Sequence, residues 1–169
     1  MKKFLGLFLV IVLLNLLSSC IGKNTVFSDE GQKADARLEQ IILAIKDNDR
    51  ETLKSLFSKK ALEEANDFEN AVDYLFGFIE GTIESWEREN WYSGGLIEKG
   101  KKNTIICSWH KFTTDKKNYL VFLTDYPTDT FDPDNVGLYA LRIIREDDKK
   151  TQFTYWQDMQ IAGIYMPEE

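Results

Sequence analysis

The chain has 169 residues, enough for one domain of ordinary size with a real core. It carries 28 acidic against 21 basic residues, net −7 at pH 7. That balance argues against the basic footprint that nucleic-acid binding needs, and with Cys20 read as lipid-bearing, one histidine and one free cysteine cannot build the usual zinc sets.

The first stretch, MKKFLGLFLVIVLLNLLSSC, has the layout of a secretory signal. Lys2 and Lys3 open it, an apolar run from Phe4 to Leu17 follows, and small residues lead to Cys20. The run is shorter than the roughly 20 apolar residues of a spanning helix. The ending Leu17-Ser18-Ser19-Cys20 resembles a bacterial lipobox, in which the cysteine receives a diacylglycerol and becomes the first mature residue. Residues 1–19 are therefore expected to be removed and Cys20 lipidated. The expected location is the extracytoplasmic side of the cell membrane, held there by lipid. The signal takes two basic residues and no acidic one, leaving 19 against 28, net −9. Such a charge gives no second hold on an anionic bilayer.

Residues 20–32 carry Gly, Asn, Ser and Asp without sustained periodicity and read as a tether. As a flexible coil it would reach on the order of 20 Å. One domain, residues 33–169, is expected to follow. Leu38, Ile41, Ile42 and Ile45 make one apolar helical stripe. Asn48 or Asp49 can cap a short helix with Leu53, Leu56 and Phe57 inward, and Ser58 one with Ala61, Leu62 and Ala65 inward. Asp67 can cap a fourth, where Phe68, Val72, Leu75 and Ile79 share a face and Gly81 ends the run.

After Gly81 the period becomes that of strands. Thr82–Trp91 reads as the first, Ser93-Gly94-Gly95 as a turn, and Leu96-Ile97 as a short edge. Lys99–Lys102 is a solvated charge run. Asn103–Thr113, Asn118–Tyr126, Val136–Arg145 and Phe153–Ile161 are further strands joined by short polar turns. Helices first and then a meander predict an α+β fold: a curved antiparallel sheet holding the helices in its concavity, a cone.

Several blocks carry a resemblance: Ala34–Ala65, Glu84–Trp91 (ESWERENW), Asp134–Ile144 (DNVGLYALRII) and Phe153–Tyr165 (FTYWQDMQIAGIY). On them the chain resembles an uncharacterised family of bacterial lipoproteins, domain of unknown function 5104. The resemblance implies a nuclear transport factor 2-like cone and no particular activity. Related cones host isomerases, dehydratases, ligand-binding modules and dimerisation domains.

Candidate chemistry is sparse. His110, with Asp125 or Asp158, would be the acid–base pair of a small enzyme if the fold joined them. By alternation His110 shares a face with Ile106 and Phe112, and Cys107 with Trp109. Cys107 lies in an apolar strand and reads as an inert buried thiol, so no disulfide is expected. Asp129, Asp132, Asp134 and Asn135 cluster in TDTFDPDN, but Val136 stands where a calcium loop needs a ligand, so they read as turn residues. No metal or other cofactor is expected.

Aromatic residues are the unusual feature. Trp156, beside Gln157 and Asp158, is the first choice for a pocket wall, with Trp86 and Trp109 as further lining. Arg142 sits in an apolar strand, on the face expected for Val136, Leu138, Ala140 and Ile144, and needs an acid partner or an anionic ligand. The leading expectation is a non-enzymatic binding domain for a small molecule, a protein partner or a second copy. The small acid–base enzyme is the alternative.

Overall fold

The computed structural model describes residues 29–152 and 161–167. Cys20, Trp156 and Asp158 lie outside the described residues, as does nearly all of the strand expected at Phe153–Ile161.

Among the described residues four helices come first: α1 (Glu30–Lys46), α2 (Arg50–Ser55), α3 (Lys59–Glu64) and α4 (Phe68–Phe78). α1 starts three residues inside the stretch read as tether. Each short helix begins at an expected cap. Asp49 accepts from the Thr52 N–H at 2.9 Å, Ser58 from Ala61 at 3.0 Å, and Asp67 from Asn70 at 3.4 Å. These side chains satisfy N–H groups that a helix start leaves open. Leu38, Ile41, Leu53, Ala61, Val72 and Leu75 are buried, so the stripes face inward.

Four long strands follow: β1 (Ile83–Glu98), β2 (Lys101–Thr114), β3 (Asn118–Asp129) and β4 (Gly137–Arg145), each antiparallel to the next. A short helix, α5 (Lys149–Gln152), precedes β5 (Gly163–Ile164). The strand order is β1-β2-β3-β4-β5, a curved, open sheet. Bulges fall at Arg88/Asn90, Thr104/Ile106 and Thr124/Asp125. Each inserts a residue on one strand and bends it, which is how a long sheet curves.

Two strand expectations change. Ser93-Gly94-Gly95 is not a turn; it continues β1 against Ile106, Ile105 and Thr104. The chain reverses instead at Lys99-Gly100, with φ of 49° and 78°. Two residues at positive φ between the paired Glu98 and Lys101 make the tight hairpin loop whose twist matches the strands. The last described strand, Gly163–Ile164, runs parallel to β4, not antiparallel, pairing Ala140 and Leu141.

The helices pack on one face of the sheet. The main core joins Leu38, Ile41, Val72 and Leu75 to Phe112, Tyr119, Val121, Leu123, Leu141 and Ile143. β4 meets the helices edge-on: Ser58 N–H bonds to the Leu138 carbonyl and Leu138 N–H to the Leu56 carbonyl, both at 2.9 Å. Gly137, at φ 128°, lies where an added Cβ would stand 2.9 Å from Ser58 N, so only glycine fits this approach. The other face carries a second apolar cluster, Leu120, Phe122 and Ile144, with Trp109 and Tyr165 against it.

Candidate functional site

On the helix-side face, His110 is fully buried. Its Nε2 is 3.0 Å from Ser108 Oγ, its ring meets Trp86 edge-on at 6.0 Å, and its Nδ1 has no hydrogen-bond partner. Burial, and then the Arg88 charge, push its pKa down to about 4, so the imidazole is neutral. Ile106 and Phe112 do share its face, as alternation predicts; all three are buried.

Asp125 does not meet His110. It pairs with Ile106, four residues along β2 from the histidine, about 13 Å at strand rise. Its Oδ1 instead takes Arg37 Nε of α1 at 3.0 Å. Burial raises the Asp125 carboxyl while Arg37 pulls it down. A second pair lies nearby: Arg88 Nη1 is 2.7 Å from Asp35 Oδ2 and donates to the Gly31 carbonyl at 2.5 Å. These pairs pin the start of α1 to β1 and β3.

Arg37 and Arg88 were not expected to matter. Arg37 stands four residues before Ile41, bordering the apolar stripe, and that spacing was the available signal. Arg88 is hidden in the charged run of β1, where every neighbour looks solvated.

The opposite face brings two expected residues into line. Trp109 pairs with Phe122, and Phe122 with Arg142, so three strands present one cross-strand row. Tyr92 adds a ring 6.1 Å from Trp109. Arg142 is 5% exposed, its guanidinium lies 3.7 Å over the Tyr165 ring, and it donates to the Gln152 carbonyl. Ala140 and Ile144 share its face, but Leu138 does not. The bulge opposite Thr124 and Asp125 turns Leu138 into the main core. Trp86 sits on the other face, beside His110, so the expected pocket residues are divided between two faces.

Cys107 is a buried free thiol, 3.7 Å from Thr124 Oγ1, and burial raises its pKa. That is the environment of an inert cysteine. The aspartates of the 129–135 loop are occupied. Asp129 accepts from the Phe131 and Asp132 N–H groups and from Asn135, while Lys60 takes Asp132 and Lys59 takes Asp134, each at 2.9 Å. An open groove of about 320 Å³ lies where the β2–β3 turn meets the end of β4, lined by Asp115, Lys117, Asn118, Arg145 and Glu146 among others. Glu146 is already held there by Lys111 and Asn118.

No curated protein matches this chain. The family model described as "Domain of unknown function (DUF5104)" matches residues 40–146, from the middle of α1 to the end of β4. The match takes in most of the helix-side core, His110, the Trp109–Phe122–Arg142 row and four of the five strands among the described residues, and the chain belongs to the DUF5104 family.

Proposed function

We propose that this chain is an extracytoplasmic lipoprotein, anchored through Cys20, whose cone-like domain binds a ligand or partner without catalysing a reaction. The Leu17-Ser18-Ser19-Cys20 ending supports the anchor. Two acyl chains hold a protein on a bilayer stably, at about 0.8 kcal/mol for each buried methylene. Helices on one face of a curved sheet are consistent with a nuclear transport factor 2-like cone.

The observation that carries the binding reading is the Trp109–Phe122–Arg142 row. Rings and a fixed cation in one line form a largely buried row suited to an anionic group flanked by apolar matter. The acid–base reading has less support. His110 is sealed in the core, and Asp125 is held by Arg37.

The test is an unbiased ligand screen by thermal shift on the full chain, repeated on Arg142→Gln, Trp109→Phe and His110→Ala. The expected result is a stabilising ligand whose effect shrinks in the Arg142 and Trp109 variants and survives in the histidine variant. If His110→Ala alone abolishes the response while folding stays intact, the small acid–base enzyme becomes the better reading.

A further inference from the structure

β1 is an edge strand of 16 residues, about three times the usual strand length. Among the described residues nothing pairs with its outer side. Natural edges are guarded by charge, proline, bulges or shortness, because open N–H and C=O groups template pairing with another chain. β1 has such guards at its root and, at its far end, in Glu98. Glu84, Glu87, Arg88 and Glu89 lie at the root, with a bulge between Arg88 and Asn90. Asn90 Oδ1 then takes the Trp91 N–H at 2.8 Å.

Beyond that point the register with β2 is unbroken to Glu98, and Tyr92-Ser93-Gly94-Gly95-Leu96-Ile97 has no charge and no proline. Leu96 is 52% and Ile97 81% exposed. The hairpin tip that follows is basic on balance: Lys99, Lys101 and Lys102 against Glu98, which lies 3.5 Å from Lys99. In net charge the edge therefore runs acidic at the root, apolar in the middle and basic at the tip, with Arg88 and Glu98 each standing beside opposite charges.

We infer that this edge pairs with the same edge of a second copy, antiparallel about a two-fold axis through Gly94. An isologous contact needs a surface complementary to itself under a half-turn. In this register Tyr92 faces Leu96, Trp91 faces Ile97, and Glu89 comes beside Lys99. Opposite charges across paired strands stabilise, and like charges oppose. A parallel arrangement would set the acidic roots together and the basic tips together. The two glycines at the axis leave the strands free to approach, and a Cβ at Gly94 meets only ordinary contact, 3.6 Å from Ile105 Cγ2.

The test uses the full chain in detergent. Gly94→Cys places one thiol per copy on the axis, and Leu43→Cys, on the exposed face of α1, is the control. The wild-type chain, oxidised alongside, supplies the blank. On mild oxidation Gly94→Cys should give a covalent dimer and Leu43→Cys should not. Adding Lys99→Glu should suppress that dimer, and adding Glu89→Lys to the same chain should restore it. A Gly94→Cys chain that stays monomeric, or that cross-links no more than Leu43→Cys, overturns the proposal and leaves the edge for a foreign strand. A dimer indifferent to the charge swap overturns the antiparallel register.

Discussion

Arg37 Nε and Asp125 Oδ1 stand 3.0 Å apart, joining the first helix to the third strand across 88 positions of sequence. The Asp125 side chain is 6% exposed and that of Arg37 19%, so this pair is largely withdrawn from water. Breaking a buried pair by removing one partner costs about 3–5 kcal/mol, because the remaining charge is stranded. Replacing both by apolar residues of similar volume is often neutral. We therefore expect Arg37→Met to lower unfolding free energy by several kcal/mol. Arg37→Met with Asp125→Leu should recover much of that loss. Urea denaturation of the two variants measures this, and a double variant as weak as the single one contradicts it.

His110 gives a pH dependence with a definite sign. Its folded pKa, near 4, lies below the ordinary value of 6.5. Between the two, the unfolded chain binds the proton and the folded one does not. The contribution is thus fully present above pH 6.5 and is lost as pH falls toward 4, by up to about 3 kcal/mol. His110→Gln should flatten the change in melting temperature over that range. A wild-type profile that keeps the same slope in the variant rules out His110 as its source.

Cys20→Ala should leave an unprocessed or released protein, since lipid transfer needs the thiol of the Leu17-Ser18-Ser19-Cys20 ending. Metabolic labelling with a fatty acid, followed by membrane fractionation, reads this directly. An alanine variant that is still mature-sized, labelled and membrane-bound defeats the lipobox reading.

Reducing agent should leave the melting temperature almost unchanged. Cys107 is buried and free, and the fold gains its stability from its cores and ion pairs. A fall of many degrees in a scan with reductant would reveal a disulfide, since about 1 kcal/mol corresponds to a few degrees at this size.

The α+β class, the starts of the second, third and fourth helices and the positions of β2, β3 and β4 were legible in the sequence. Each rests on interactions within a few residues. Asp49, Ser58 and Asp67 cap helices three residues away, and the Leu38–Ile45 stripe repeats at the helical period whatever it packs against. Local chemistry failed where two local rules competed. Gly94 and Gly95 permit a turn as readily as a strand, and the hairpin was decided downstream by Lys99 and Gly100 at positive φ.

What the sequence alone determined is the order of helices before strands, the acidic charge and the signal-like start, because these follow from composition and short-range periodicity. The tertiary structure alone decided which residues meet. A bulge between β3 and β4 put Leu138 in the core and left Arg142 beside Phe122 on the far face. Arg37 claimed Asp125 from across the sheet. Trp86 and Trp109, alike on paper, ended on opposite faces. Side-chain direction in a sheet depends on register, and a single inserted residue reverses it, so no local pattern carries that information.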